Sequence, residues 1–160
     1  DMLVQQLATV LTEQGQMMAT AESCTGGMIA AACTDLAGSS NWFERGFVTY
    51  SNAAKHELLG VAKELIETHG AVSQPVAQAM ACGAVTHSHA QCAVAVTGVA
   101  GPGGGSAEKP VGTVWFGWSV HGQWHTERKL FAGDRAQVRS ATVQHALTQL
   151  LAYLTANQAR

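Results

Sequence analysis

The transition that decides the fold reads MMATAESCTGGMIAAACTDL and covers residues 17–36. An apolar run of strand length at residues 17–21 leads into the serine turn, residues 23–27 (SCTGG), and then into the helix-favouring residues 28–36. This order predicts a strand, a tight turn and a helix, with the Ser23 hydroxyl at the N-terminus of the helix.

A serine hydroxyl at such a turn could act as a nucleophile. Free backbone N–H groups and the positive end of the helix dipole favour a negative charge that develops on oxygen there. Gly26 and Gly27 also let the backbone approach a ligand closely, because neither residue has a Cβ. A serine or threonine that only caps the helix would use the same residue types, so both interpretations stay open from this stretch alone.

Helices and strands interleave along the rest of the chain, beginning with an amphipathic helix that ends at Gly15. The later predicted elements are a strand at 46–50, helices at 53–60, at 62–68 and after Ser73, a buried strand at 92–97, a hairpin of strands 113–120 and 123–131 around His121-Gly122, and a last helix capped near Asp134. No linker, repeat or low-complexity tract divides them, which predicts a single domain over residues 1–160. The expected fold class is α/β, a three-layer α/β/α domain with a mixed, mainly parallel sheet and a C-terminal β-hairpin.

Composition excludes several classes of protein. Apolar residues make up 47% of the chain and charged residues 12%, which is typical of a folded domain rather than a disordered segment. A net charge of −2 provides no basic surface for nucleic acid. The longest apolar runs, such as residues 90–96, are too short to span a bilayer, and no signal-peptide pattern is present. We therefore expect a cytoplasmic protein that binds neither nucleic acid nor a membrane.

The cysteines and histidines do not predict a metal site. The four cysteines form no C-x-x-C pair and lie mostly in apolar stretches, which favours buried free thiols in a reducing compartment. His87 and His89 lie near a helix end, where solvated side chains are more common than metal ligands. No metal is expected.

Three segments that follow predicted strands could bind a ligand: the serine turn, residues 50–55, and residues 97–110. The last of these contains the glycine loop, residues 98–110. Ligands of open α/β sheets lie beyond the carboxyl ends of the strands, where the strand order changes. The glycine loop has five glycines among residues 98–106, and successive N–H groups in such a loop can bind an anion. Arg135 and Arg139 on the last helix could hold a phosphate. A flexible surface loop and a solvated helix face are the alternatives.

A serine nucleophile needs a base, and Lys55 is the best-placed lysine. It follows a predicted strand and lies in the first or second turn of a helix. The helix dipole disfavours a cation there, and burial favours the neutral amine, so both effects would lower the pKa of Lys55 toward the working range of a base. Tyr50 could relay a proton or orient the lysine. An exposed helix lysine and an ordinary strand tyrosine are the alternative interpretations.

These segments belong to a set of strings that occurs in order along the chain. The set is AESCTGG (21–27), GFVTYSNAAK (46–55), GAVS (70–73), TGVAGPGGG (97–105), KPVGTV (109–114) and FAGDR (131–135). It closely resembles the motifs of the CinA C-terminal domain family, and the resemblance spans essentially the whole chain. That family includes stand-alone nicotinamide-nucleotide amidases.

The resemblance implies a serine amidohydrolase of pyridine nucleotide recycling that converts nicotinamide mononucleotide to nicotinic acid mononucleotide and ammonia. By motif match, Ser23 is the nucleophile, Lys55 its base and Tyr50 a helper, with N–H groups around residues 25–27 holding the oxyanion. The implied substrate-binding residues are Thr25, Gly26, Gly27, Thr97, Gly98, Gly101 and, for the phosphate, Arg139 or Arg135. No cofactor and no metal are implied. A homodimer is the default expectation for a small soluble enzyme whose partner is a small-molecule substrate.

Two other interpretations stay open from the sequence. Cys24 could be the nucleophile instead of Ser23, because a thiol near a helix N-terminus can have a lowered pKa. The chain could also be a nucleotide-binding or regulatory module without turnover. In that case the glycine loop and the arginines bind the ligand, and Ser23 only caps a helix.

Overall fold

Five strands form one mixed sheet in the computed structural model, which describes residues 1–156. They are β1 (Met18–Glu22), β2 (Phe43–Val48), β3 (Cys92–Gly98), β4 (Thr113–Val120) and β5 (Gln123–Leu130). Their order across the sheet is β2-β1-β3-β4-β5. β1 pairs in parallel with β2 and β3, whereas β4 runs antiparallel to β3 and β5. Four of the five strands therefore point in one direction, and the C-terminal hairpin is confirmed.

Helices cover both faces of this sheet. They are α1 (Met2–Gln14), α2 (Met28–Thr34), α3 (Asn52–Leu59), α4 (Lys63–His69), α5 (Gln74–Thr86) and α6 (Arg135–Thr155), with a 3₁₀ turn at Ser39–Asn41. The first face carries α1, α2 and α6 over a core that includes Leu7 and Leu150. On the other face, α3, α4 and α5 pack over a core that includes Leu59 and Met80. The predicted three-layer α/β/α architecture is confirmed. Within residues 1–156, no helix combines the length and the apolar character that a membrane span needs.

Local sequence signals set several boundaries, and the predicted cap near Asp134 and the predicted hairpin turn are among them. The Asp134 side chain accepts from the Gln137 N–H and the Gln137 side chain accepts from the Asp134 N–H, so a capping box begins α6. Ser51 caps α3 by accepting from a backbone N–H of its first turn. Between β4 and β5, His121 and Gly122 have φ of 53° and 74°, the left-handed values that this two-residue hairpin turn requires.

The start of β2 differs from the predicted strand at residues 46–50. β2 begins at Phe43 and ends before Tyr50, so Gly46 lies inside the strand rather than at its start. A Cβ at Gly46 would lie 2.7 Å from the Thr20 Oγ1 and 3.3 Å from the Ala30 Cβ. The glycine therefore lets α2 pack closely against the neighbouring strands, a tertiary requirement that the local pattern does not show.

The carboxyl ends of β1, β2 and β3 lie at one edge of the sheet, because these strands are parallel. The chain passes from β1 through α2 to β2 on one side, whereas β3 lies on the other side of β1. This is the change of strand order at which open α/β sheets bind ligands. The serine turn, the start of α3 and the glycine loop all lie at this edge.

Candidate active site

Ser23 and Lys55 come from different connections of the sheet and meet at its carboxyl edge. The Ser23 N–H donates to the Val96 carbonyl of β3 at 3.1 Å, which fixes the serine one residue beyond β1. Lys55 lies on the second turn of α3, with its Nζ 3.0 Å from the Ser23 Oγ. Only 8% of Ser23 and 1% of Lys55 are exposed. The two predicted groups are therefore buried and within proton-transfer distance of each other.

The surroundings of Lys55 suit an uncharged amine. Its Nζ also contacts the carbonyl oxygens of Thr49 at 3.1 Å and Tyr50 at 3.4 Å. Among residues 1–156 no carboxylate forms an ion pair with it, and burial lowers the pKa of Lys55 below its ordinary value of 10.5. A neutral amine can donate its two N–H groups to these two carbonyls, which leaves the nitrogen lone pair facing the Ser23 hydroxyl.

A cavity of about 250 Å³ opens beside this pair. Six of the residues predicted for the site line it: Ser23, Tyr50, Lys55, Thr97, Gly98 and Arg135. The buried Thr97 hydroxyl donates to the carbonyl of Ala71, which also lines the cavity, at 3.0 Å. The cavity extends from the end of β1 to the first turn of α6, so one ligand could contact both the serine and an arginine.

Tyr50 and Arg135 contact each other in the cavity wall. Tyr50 is 63% exposed, and its hydroxyl lies 3.5 Å from the Arg135 Nη2. The Arg135 Nη1 donates to the Gly101 carbonyl at 2.9 Å, which places Gly101 behind the arginine rather than in the wall. The phenol therefore faces Arg135, and only the Tyr50 backbone carbonyl contacts Lys55.

Thr25, Gly26 and Gly27 build the serine turn and do not line the cavity formed by residues 1–156. Thr25 is fully buried, and its hydroxyl donates to the Glu22 carboxylate at 2.5 Å. Gly26 and Gly27 have φ of 58° and 110°, a left-handed backbone conformation that residues other than glycine rarely adopt. These residues thus determine the shape of the turn that carries the serine.

Arg139 lies one turn after Arg135 on α6 and faces the serine turn. Its Nε donates to the Cys24 carbonyl at 3.1 Å and its Nη2 donates to the Thr25 carbonyl at 3.2 Å. Within the described part of the chain, Arg135 lines the cavity and Arg139 does not. The two arginines that the sequence placed on one helix face therefore have different surroundings.

Glu22 is a residue of the site that the sequence analysis missed. Its fully buried carboxylate accepts from the N–H groups of Ile29 at 2.8 Å and Ala30 at 3.0 Å, in addition to the Thr25 hydroxyl. These are N–H groups of the first turn of α2, so Glu22 occupies this part of the helix N-terminus. The predicted oxyanion donors, the N–H groups around residues 25–27, lie in the turn before the helix. The signal that could have found Glu22 is a carboxylate just before a helix, where its charge favours the helix dipole.

Residues 1–154 match the family model described as CinA C-terminal domain. The chain belongs to this family. A protein of Escherichia coli named nicotinamide-nucleotide amidohydrolase PncC is 52% identical over 149 residues, which cover 92% of this chain and 90% of that protein. A protein of the same name from Pseudomonas putida is 54% identical over 149 residues, 91% of this chain and 93% of that protein. The crystal structure of the competence/damage inducible protein CihA from Agrobacterium tumefaciens has a TM-score of 0.92 and 50% identity, covering 94% of this chain and 93% of that one.

In this member of the CinA C-terminal domain family, three N–H groups of the serine turn have no acceptor within residues 1–156, and one of the three residues lines the cavity. The Gly26 N–H donates to the Ser23 carbonyl at 3.1 Å, and the Met28 N–H donates to the Thr25 carbonyl at 3.1 Å. The three are the N–H groups of Cys24, Thr25 and Gly27, and of these residues only Cys24 lines the cavity formed by residues 1–156. Thr25 is fully buried. The N–H of the residue after a nucleophilic serine is a common oxyanion donor in other hydrolases, which makes Cys24 the first candidate.

The Cys24 thiol is a poor nucleophile in this family member. The residue is only 5% exposed, and burial raises the pKa of the thiol to about 11. A thiol of this pKa is almost entirely protonated near neutral pH, whereas catalytic cysteines have lowered pKa values. The geometry thus favours the Ser23 hydroxyl over the neighbouring sulfur.

Proposed function

We propose that this chain hydrolyses the carboxamide of nicotinamide mononucleotide, and that Ser23 and Lys55 perform the reaction. The observation that supports this most directly is the 3.0 Å contact between the Lys55 Nζ and the Ser23 Oγ, buried beside a cavity at the change of strand order. Two relatives that carry the name nicotinamide-nucleotide amidohydrolase are 52% and 54% identical over nearly their whole length. The Ser23–Lys55 contact and these two relatives together support an amidase that acts on nicotinamide nucleotides.

Acylation begins when the lone pair of neutral Lys55 removes the Ser23 proton as the Oγ attacks the carboxamide carbon. The Thr49 and Tyr50 carbonyls hold the amine in place through its two N–H groups. Negative charge develops on the carboxamide oxygen, and the N–H of Cys24, a residue of the cavity wall, would stabilise it. Fixed backbone dipoles stabilise such a charge without the reorganisation that solvent requires.

Ammonia then leaves and the acyl group is hydrolysed. Lys55 returns its proton to the carboxamide nitrogen as the C–N bond breaks, which releases ammonia and leaves a nicotinoyl ester on Ser23. A water molecule attacks the ester carbon while Lys55 accepts one of its protons. The Ser23 oxygen departs and takes that proton, so the products are nicotinic acid mononucleotide and the regenerated enzyme.

The substrate is oriented by the far side of the cavity. We assign the phosphate to Arg135, because it lines the cavity and the Gly101 carbonyl holds its guanidinium at 2.9 Å. Thr97 and Gly98 would contact the nicotinamide end, since they lie at the carboxyl end of β3 beside β1. Tyr50 would help to orient Arg135 through its hydroxyl and Lys55 through its backbone carbonyl.

Ammonia release from nicotinamide mononucleotide tests this function. Ser23→Ala should lower kcat by about 10³-fold or more, because no other nucleophile replaces the hydroxyl. Cys24→Ala is the matched control and should keep most of the activity, because it retains the backbone N–H. Equal activity of Ser23→Ala and the wild type would contradict the proposal. Activity that depends on Cys24 would support the thiol mechanism, and binding without release would support a regulatory module.

The homodimer, the cytoplasmic location, and the lack of a cofactor, a metal and a nucleic-acid partner stay predictions. Light scattering on the purified chain would test the homodimer directly. A single species at the mass of one chain would contradict it.

A further inference from the structure

Arg139 makes contacts that a substrate ligand does not need. Its Nε and Nη2 donate to two successive carbonyls of the serine turn, those of Cys24 and Thr25. A Cβ at Gly26 would lie 3.5 Å from its Nη2, so the guanidinium packs directly on the turn. We propose that Arg139 is a positioning residue that orients the oxyanion-binding peptide of the turn; this rests on the proposed role of Ser23 as the nucleophile.

The direction of a carbonyl fixes the direction of the next N–H, because the two groups of a trans peptide point in opposite directions. Arg139 holds the Thr25 carbonyl, so the Gly26 N–H points away from the guanidinium and toward the Ser23 carbonyl. The Gly26 N–H holds the Ser23 carbonyl at 3.1 Å, which fixes the Cys24 N–H in the same way. The Cys24 N–H has no acceptor among residues 1–156, and Cys24 lines the cavity.

The hydroxyl and the carbonyl of Thr25 both form hydrogen bonds within the protein. Its hydroxyl donates to Glu22, and its carbonyl accepts from both Arg139 and the Met28 N–H. Thr25 is fully buried and does not line the cavity formed by residues 1–156, so it acts on the site through its fixed backbone. The guanidinium also polarises the peptide from the carbonyl side, and a polarised peptide is a stronger N–H donor. Arg139 therefore acts, through the Gly26 N–H and the Ser23 carbonyl, on both the direction and the strength of the Cys24 N–H.

The charge of Arg139 is not used in an ion pair. Among residues 1–156 no carboxylate lies within the 4.0 Å that defines such a pair, and Glu22 is engaged with α2 instead. A positive charge that contacts only backbone carbonyls gives the turn a net attraction for negative charge, without any direct contact with the substrate. Arg135, by contrast, lines the cavity itself.

Two measurements separate positioning from binding. The first is kcat for ammonia release from nicotinamide mononucleotide. The second is the calorimetric Kd of the same nucleotide in an inert Ser23→Ala background, which reports binding without turnover. Arg139→Met should lower kcat by about 10²-fold, the usual effect of one lost oxyanion donor, and should change the Kd by less than about threefold. Arg135→Met should show the opposite pattern, a raised Kd with little change in kcat.

Two further variants keep the test decisive. Arg139→Lys keeps the positive charge but not the bidentate contact of the guanidinium with the two carbonyls. Its kcat should therefore fall by about tenfold, which is less than the loss in Arg139→Met. It also replaces Arg139→Met in the test if thermal unfolding shows that the methionine variant does not fold. Arg128→Met, an exposed position on β5, should behave as the wild type.

Either of two results would overturn the inference. One is an Arg139 variant whose kcat stays within about threefold of the wild type. The other is a Kd for nicotinamide mononucleotide that rises about tenfold or more, which would make Arg139 a phosphate ligand. A wild-type chain without Ser23-dependent turnover would instead reject the proposed function, and the inference with it. The Ser23→Ala control therefore distinguishes the two failures.

Discussion

The serine turn and the glycine loop follow parallel strands at the same edge of the sheet, yet they are built differently. The serine turn is held from several sides, by Glu22, Lys55 and Arg139. In the glycine loop residues 102–108 are exposed. Near its end the Lys109 Nζ donates to the last carbonyl of α4 at 2.8 Å. One segment is fixed through buried polar contacts, whereas the other is attached mainly at its ends.

This difference matches the demands of the two halves of the proposed reaction. Bond making needs the nucleophile, base and oxyanion donors within a few tenths of an ångström of their working positions, which buried contacts provide. A segment that covers a bound nucleotide can adapt its shape and still work. Changes in the serine turn should therefore lower kcat, and changes on the glycine-loop side should raise KM or have little effect.

Lys55→Met should have the largest effect among the residues around the serine. Methionine fills the same buried space without an amine, so general-base catalysis is lost and kcat should fall by about 10²–10⁴-fold in steady-state assays. Lys63→Met, at an exposed lysine at the start of α4, is the matched control and should keep wild-type rates. A Lys55→Met enzyme with more than about a tenth of the wild-type kcat would show that Lys55 is not the base.

The pH dependence should follow the lowered pKa of Lys55. The neutral amine is the active form, so kcat/KM should rise about tenfold per pH unit below that pKa and level off above it. Because burial lowers this pKa, the plateau should begin below pH 10.5, the ordinary value for a lysine. If kcat/KM still rises at pH 10.5, Lys55 is solvated and keeps its ordinary pKa.

The same pKa should appear in the stability of the fold. Between the lowered pKa and 10.5 the unfolded chain binds the Lys55 proton and the folded chain does not. The free energy of unfolding of the wild type should therefore rise with pH relative to Lys55→Met across this window. Urea titrations of both proteins at several pH values measure the difference, in which the contribution of the buried thiols cancels. A pH-independent difference would contradict the buried, uncharged lysine.

Arg135→Met should have a smaller effect, and mainly on KM. Removing a charge-assisted contact to a phosphate costs about 1.5–3 kcal/mol, which corresponds to a KM increase of about 10–100-fold. Nicotinamide riboside, which has no phosphate, sharpens the test. If Arg135 binds the phosphate, Arg135→Met should weaken the nucleotide but leave the riboside unchanged. An equal rise in KM for both substrates would show that Arg135 does not bind the phosphate.

The contrast between the two segments also explains what the sequence could predict. Local signals set the capping box at Asp134 and the turn at His121-Gly122, because neighbouring residues alone determine them. The meeting of Ser23 and Lys55 was predictable because the carboxyl ends of parallel strands share one edge. The contacts of Arg139 depend on how closely α6 packs against the end of β1, and no local pattern encodes that distance.

The smallest effect is expected in the glycine loop. A Cβ at Gly103 would meet no atom within 4 Å, so Gly103→Ala should change kcat, KM and the free energy of unfolding only slightly, by about 0.5 kcal/mol at most. Gly27→Ala is the matched change in the serine turn, where φ is 110° and the new Cβ would lie 3.6 Å from the Val48 Cγ2. It should cost about 1–3 kcal/mol in thermal or urea unfolding and lower kcat. Equal effects of the two alanines would mean that the exposed loop is as tightly constrained as the turn that carries the serine.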